Sequence, residues 1–322
     1  MINNASLKEI GDMLRAAQSI LIFPHVSPDG DAIGSCAALC RAMRREGKDA
    51  WILLDEKVPE YLSFMDTEYC TDDKACIAEP DICICVDCSE ESRFYERADK
   101  FNAGKLKLCL DHHATSGSFG DYYYIDGDEA ATAQIIYKLL LEMDVKIDKA
   151  LAESLYVGIS TDTGSFQHSN TTAETHMIVS ELFKTDMDHT SIVVSLYHNI
   201  SYKRLRLESR VLGNMEMAAG GRVAVSYVTE KMLDEEKATV DDSEGIVDLL
   251  RNIEGVELAA FLKERDGAVK VSMRAKSYAT VDKIAVKFGG GGHAKAAGCT
   301  LHMPVEEAMA VIKKELSDYW ES

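Results

Sequence analysis

The residues best suited to chemistry lie where apolar runs end. ILIFPH, residues 20–25, delivers His25, and the turn SPDGDAIGS that follows carries Asp29 and Asp31 around a glycine. CICVD ends on Asp87, LKLCLDHH ends on Asp111, His112 and His113, and VGISTDTGSF carries Asp162. Carboxylates gathered in one place repel one another where water is scarce, and bound cations relieve the repulsion. Oxygen and imidazole donors without thiolate suit Mn²⁺, Mg²⁺ or a similar divalent ion. Six ligands from this set are too many for one ion with open positions, but they fit two ions that share a carboxylate. Two ions roughly 3.5–4 Å apart activate water and clamp both oxygens of an in-line phosphoryl displacement.

Each motif also has a plainer reading by itself. SPDGDAIGS suits a turn leading into a helix, where Asp, Gly and Ser are favoured. It lacks the further acids of an EF-hand loop, so calcium fits poorly. The Asp and His of DHH serve equally as structural hydrogen-bonding groups, and STDTG suits the end of a helix. The case for a metal centre rests on the four segments together.

Such a gathering needs a scaffold that brings distant segments to one edge. SILIFPH, DAWILLD, DICICVD and KLKLCLDHH read as strands, and DAIGSCAALCRAMRREG has apolar residues at helical spacing. TAQIIYKLLLEM and KALAESLYVGISTD read as helical or helix-ending patterns. Alternating strands and helices predict a mostly parallel sheet whose chemistry lies beyond the carboxyl ends of its strands. All four acid- and imidazole-bearing segments, that of Asp162 included, are expected at strand ends. The last third reads differently, with GRVAVSYVT, GVELAAFLKER and GAVKVSMRAKS as strands of a smaller α/β unit. The expected organisation is a first domain over 1–195, a helical connector over 196–217 and a second domain over 218–322.

KFGGGGHAKAAG, residues 287–298, is the second chemical signal. It lies inside a folded pattern rather than between domains, and it has no Gly-Lys-Ser/Thr of a Walker loop. Consecutive glycines let backbone amides approach an anion, so Gly289, Gly290, Gly291 and Gly292 predict a phosphate or carboxylate nest. His293 follows it, and VKVSMRAKS points Arg274 out of a nearby strand, a residue suited to bidentate phosphate binding.

Composition sets the bounds. A chain of 322 residues with 46% hydrophobic and 28% charged residues is globular and long enough for two domains. It has no uninterrupted apolar segment able to span a bilayer and no signal-like N-terminus, which predicts a cytoplasmic location and no membrane partner. A net charge of −19 argues against gripping long duplex nucleic acid and leaves short nucleotides open. Nine cysteines without an export signal predict reduced thiols. Cys83 and Cys85 in DICICVDC read as small core residues rather than zinc ligands. His168, His189, His198 and His302 read as surface or helix-capping residues, and IDGDEAATAQ as a helix start.

These motifs together resemble the DHH/DHHA1 phosphoesterases over nearly the whole chain, and most of all their short bacterial nano-RNase and pAp-phosphatase group. HVSPDGDAIGS, the VD at Asp87, DHHATS and STDTGSF are similar to the motifs of the first domain, and GGGGHAKAAG to the hallmark of the second. The resemblance implies two Mn²⁺ ions, with Mg²⁺ or Co²⁺ as substitutes. His25, Asp29 and Asp87 would hold one, and Asp31, Asp87, His112 and Asp162 the other, with Asp87 bridging. It places His113 beside the phosphate, Asp111 behind the histidines, and Arg274, Gly289–Gly292 and His293 on the rest of the substrate. It also implies an active site in the cleft between the domains, with short oligoribonucleotides, dinucleotides or pAp as substrates, and a homodimer as the default assembly. A stand-alone phosphodiesterase for cyclic di-AMP or pApA is the alternative, and a non-catalytic nucleotide sensor is the rival of another class. One departure is visible: Ala275 stands after Arg274 where similar proteins carry serine, which removes a hydroxyl.

Overall fold

The structure is a computed structural model that describes residues 3–55, 57–65, 68–88, 90–113 and 119–320. It divides into two compact units, 1–199 and 200–322. Ala114, Thr115 and Ser116, the end of the DHHATS motif, lie outside the described residues.

The first unit contains α1 (Leu7–Ala16), β1 (Ser19–Phe23), α2 (Gly30–Arg45), β2 (Asp49–Leu53), β3 (Cys70–Thr71), β4 (Ile82–Val86), α3 (Ala98–Asn102) and β5 (Leu106–Asp111). It continues through β6 (Tyr122–Ile125), α4 (Thr132–Glu142), α5 (Lys149–Asp162), α6 (Ala173–Phe183) and α7 (His189–Tyr197). Its six strands form one parallel sheet in the order β3-β2-β1-β4-β5-β6. The central strands SILIF and ICICV are apolar throughout because both faces are covered. Ile20, Ile22, Ile84 and Val86 meet the thick helical layer, while Leu21, Phe23, Cys83 and Cys85 meet Phe94 and Phe101 on the other side. Cysteine fits there because space is short: a Cβ on Gly104 would come within 2.7 Å of the Cys83 sulfur. All nine cysteines are free of disulfides.

The chain winds outward from β1 to β2 and β3, then returns to place β4 on the other side of β1. That reversal opens a crevice beyond the carboxyl ends of β1 and β4, the place where open α/β sheets bind ligands. His25 follows one of these strands and Asp87 the other.

The second unit contains α8 (Tyr202–Gly213), β7 (Glu216–Ala218), β8 (Val223–Val228), α9 (Glu230–Glu236), α10 (Ile246–Asn252), β9 (Leu258–Arg265), β10 (Ala268–Ala275), α11 (Asp282–Lys287), β11 (Gly291–His293), β12 (Ala296–Leu301) and α12 (Val305–Ser317). Its sheet runs β11-β12-β10-β9-β8-β7, antiparallel except between β8 and β9. Of the expected connector, Tyr202–Gly213 forms α8 within this unit, where Leu207 and Val211 pack with Ala224, Val228 and Phe261. One sheet face is covered by α12 and α11. On the other, α8 and α9 cover the β8–β9 end and α10 reaches as far as β10, where the side chains of Lys270, Ser272 and Arg274 stay partly or fully open. Among the described residues no helix is long and apolar enough to cross a membrane.

Candidate functional site

His25, beyond β1, is 4% exposed. Its Nδ1 is 2.7 Å from the Val26 carbonyl, to which only an Nδ1–H can donate, and 3.1 Å from the Arg93 guanidinium, while Nε2 faces Asp29 Oδ2 at 3.9 Å and Asp87 Oδ2 at 3.8 Å. Burial lowers its pKa, so the ring is a neutral donor. Asp29 caps α2, where Oδ1 accepts from the amides of Asp31 and Ala32, both at 3.1 Å, and Oδ2 accepts no hydrogen bond among the described residues. The helix start that the turn alone suggested is therefore present, and it orients the carboxylate.

Asp31 sits in the first turn of α2 and is 1% exposed. It meets the N-terminus of α4, accepting from Thr132 N at 2.7 Å and Ala133 N at 2.9 Å, with Ser35 Oγ at 3.1 Å. The glycines of this region serve close approach. A Cβ on Gly34 would stand 2.5 Å from the Ser154 carbonyl of α5, and one on Gly158 would stand 2.8 Å from Asp31 Oδ1. Small residues at this crossing bring the end of α5, and with it Asp162, up to Asp31.

Asp87 follows β4 in a left-handed conformation, φ +59°, with its amide bonded to the Leu110 carbonyl at 3.0 Å. That backbone is uncommon outside glycine, asparagine and aspartate. Its two oxygens face different histidines: Oδ2 lies toward His25, and Oδ1 lies 3.8 Å from His112 Nε2. His112 donates its Nδ1–H to the Glu129 carbonyl at 3.2 Å. Its Nε2 is thereby left toward Asp31 Oδ2 at 3.9 Å and Asp162 Oδ2 at 3.5 Å. One donor atom each from His25, Asp29 and Asp87, and likewise from Asp31, His112 and Asp162, lie within 4.8 Å of one another.

Asp162 is the last residue of α5, so its expected place at a strand end is corrected. The segment is helical for 14 residues, and its carboxylate stands at the negative end of the helix dipole. Burial raises its pKa against the pull of His112. Asp31 and Asp87 are pushed well above the ordinary carboxylate range by burial and then by neighbouring carboxylates. Buried, mutually repelling acids beside imidazole lone pairs with no other partner among the described residues are the donor set a divalent cation completes. The residues therefore fit the metal that the motifs imply. Asp111, fully buried, accepts from His113 Nδ1 at 2.7 Å and pushes that imidazole up to about 9. His113 Nδ1 is 3.7 Å from Asp87 Oδ1.

Three supporting residues escaped the sequence reading. Thr132, wholly buried, donates its hydroxyl to Asp87 Oδ1 at 2.8 Å while its amide holds Asp31. Asn170 donates to the Asp162 carbonyl at 3.2 Å. Arg97, 1% exposed, pairs with Asp55 at 2.7 Å and donates to the Pro24 carbonyl at 2.9 Å, bracing the residue before His25. Of these, only Thr132 lay in a stretch marked beforehand, as a helix start.

In the second unit a groove of about 700 Å³ is lined by Arg274, Ser272, Lys270, Gly289–Gly292, Thr300 and His302. Arg274 donates to the Met273 carbonyl at 3.1 Å, and its Nε is 3.7 Å from Asp248. His293 is exposed on β11 opposite Ala296, which in turn pairs with Arg274; it shares their face but does not line the groove. A Cβ on Gly290 would stand 2.1 Å from the Gly298 carbonyl and one on Gly292 2.5 Å from the Ala297 Cα, both in β12, whereas one on Gly291 would meet nothing within 4 Å. Half of the tract is thus dictated by packing. Ala275 is buried against the opposite, helix-covered face, so a serine hydroxyl there would not reach this groove. Ser272 supplies one instead. His302, expected on the surface, is exposed and lines the groove.

Acids and imidazoles converging beyond the carboxyl edge of a parallel sheet are the equipment of a metal-dependent hydrolase. Comparison with known proteins gives the family: residues 19–159 match the N-terminal domain of the DHH family and residues 220–322 match the DHHA1 domain. The chain belongs to the DHH family. It is 32% identical over 319 residues, 97% of this chain and 94% of the relative, to the bifunctional oligoribonuclease and PAP phosphatase NrnA of Thermus thermophilus. The Bacillus subtilis protein of the same name is 26% identical over 287 residues, 88% of this chain and 90% of the relative. Among solved structures, an exopolyphosphatase-related protein from Bacteroides fragilis superposes with a TM-score of 0.91 at 29% identity, covering 97% of this chain and 96% of that one.

Proposed function

We propose that this chain is a Mn²⁺-dependent phosphoesterase that hydrolyses short oligoribonucleotides to 5′-mononucleotides and pAp to AMP. The observation that carries the reading is Asp87, whose two oxygens face His25 and His112 separately, as a carboxylate shared between two ions would. His25 and Asp29 complete one side, and Asp31, His112 and Asp162 the other. Divalent ions held there supply an activated water and neutralise charge on the phosphoryl oxygens.

The chain's own residues do the rest. Val26 and Glu129 carbonyls fix the tautomers of His25 and His112, presenting both Nε2 atoms to the centre. Thr132 fixes the rotation of the shared carboxylate. Asp111 orients His113 through Nδ1 and raises its pKa, so the imidazole can turn Nε2 to a phosphate oxygen or to the leaving group. Arg274 and the glycine tract offer an anion-binding surface for the remainder of the substrate. The charge of −19 favours short substrates held by local cations over long strands.

A panel of two- to seven-nucleotide RNAs, pAp, pApA and cyclic di-AMP, assayed with Mn²⁺ and with chelator, tests this. Turnover of short RNA and pAp that chelator abolishes is the expected result. A cyclic substrate preferred by orders of magnitude would replace it with the cyclic-dinucleotide reading, and binding without any phosphate release would replace it with a sensor.

A further inference from the structure

Cys85 and Cys88 bracket Asp87 in the sequence CVDC, the spacing of a dithiol motif. The local fold turns that spacing into proximity. Val86 ends β4 in extended backbone, and Asp87 follows at φ +59°. An extended residue before a left-handed one is the pattern of a type II turn, which brings the flanking residues within about 7 Å. A disulfide needs Cα atoms about 4.4–6.8 Å apart.

The two thiols already interact. Cys85 donates a hydrogen bond to the Cys88 sulfur, and Cys88 donates to the Glu90 carbonyl at 3.2 Å. Cys40 and Cys83 instead donate to the carbonyls of Ala50 and Lys100, at 3.4 and 3.5 Å. Cys109 is the neighbour of Cys85 on β5. Adjacent strands stand about 4.8 Å apart and disulfide Cβ atoms about 3.8 Å, so that pair is the poorer one. Cys85 and Cys88 are fully buried, but their cover is thin: Phe94, from a kinked 3₁₀ segment, and Phe101, from the short α3. Local opening of such a layer admits a small oxidant.

We propose that Cys85 and Cys88 form a modification site, a dithiol that hydrogen peroxide closes to a disulfide, withdrawing Asp87 from the metal centre. The Cys88 sulfur attacks one peroxide oxygen, the O–O bond breaks, and the thiol proton leaves with the departing hydroxide as water. The Cys85 sulfur then displaces the hydroxyl of the Cys88 sulfenic acid, giving the S–S bond and a second water. Two electrons pass from the thiols to the peroxide. Closing this ring shifts the backbone on both sides of Asp87, whose left-handed conformation aims one oxygen at His25 and the other at His112. The bond needs no metal; its effect on the centre rests on the phosphoesterase reading.

The full-length protein, oxidised with hydrogen peroxide in chelator and then desalted, tests this. Tandem mass spectrometry of its peptides should find Cys85 joined to Cys88 with the loss of two hydrogens, about 2 Da. Calorimetry should show Mn²⁺ affinity weakened about 10- to 100-fold, the scale of disturbing what orients a ligand, and dithiothreitol should restore it. Cys85→Ala and Cys88→Ala, checked for folding by thermal unfolding, should each keep their Mn²⁺ affinity through peroxide. Cys109→Ala should respond as the wild type does. A loss that persists in both alanine variants, a bond mapped to Cys109, no bond at all, or a bond that leaves Mn²⁺ affinity unchanged would overturn the proposal. The two readings fail separately. Mn²⁺-dependent hydrolysis indifferent to peroxide would sink the switch alone, and a Cys85–Cys88 bond in a protein that binds Mn²⁺ without hydrolysing anything would sink the phosphoesterase alone.

Discussion

Asp31 and Ser272 stand at opposite extremes of polar chemistry in this chain. Asp31 is sealed from water, and both its oxygens accept hydrogen bonds, three in all, from Ser35, Thr132 and Ala133. Ser272 stands on an open strand face, and its hydroxyl has no protein partner among the described residues. The same contrast holds for their surroundings. Every proposed metal ligand but Asp162 and Asp29 is largely buried, and His25, His112, Asp31 and Asp87 are each turned by a hydrogen bond that leaves a donor atom for the centre. The groove holds its polar groups loosely and depends on small residues for room. Carboxylates that repel one another must be held in place against that repulsion, and a reaction needs its groups positioned closely. A surface that binds ligands of several lengths needs neither.

Substitutions should therefore divide by size and by kinetic parameter. Asp87→Asn keeps a residue type tolerant of the left-handed backbone at this position but removes the shared charge. Turnover should fall about a thousandfold or more, the several kcal/mol that metal clamping of a phosphoryl group supplies. Steady-state kinetics on pAp would check this, and near-normal kcat would erase the distinction between the two regions. Thr132→Val removes only the hydroxyl on Asp87 while the backbone amide stays on Asp31. Metal affinity measured by calorimetry should weaken about 10- to 100-fold, with Thr132→Ser restoring it. The smallest effect is expected at Gly291, where an added side chain meets no protein atom within 4 Å. Gly291→Val should raise KM about three- to tenfold with kcat retained and Tm moved by less than about 2 °C. A large drop in Tm would show that the glycine serves packing instead.

How much of this could be read beforehand depended on whether the rule was local. His25, Asp87 and Asp111–His113 follow apolar strands in a βαβ pattern, and parallel sheets present such residues at one edge wherever the strands fall in sequence. Asp162 belonged to a legible motif but to the wrong kind of element. Its segment, KALAESLYVGISTD, runs 14 residues, and that length favours a helix over a strand. The side of Ala275 was also decidable, since a neighbour of a groove-facing Arg274 must face the other way. Thr132 was not decidable: the helix start was visible in EAATAQ, but its bond to a carboxylate 45 residues earlier depends on the packing of α4. Nor did anything near Arg97 announce a buried guanidinium joining the ends of β1 and β2.

The account stands on a carboxylate shared by two ions. Titration of the wild-type protein with Mn²⁺, followed by electron paramagnetic resonance, reads that geometry directly, because neighbouring ions bridged by one ligand couple their spins. Two ions per chain with a coupled spectrum are expected, giving way in Asp87→Asn to uncoupled signals. A single ion, or two that never couple in the wild type, would contradict it.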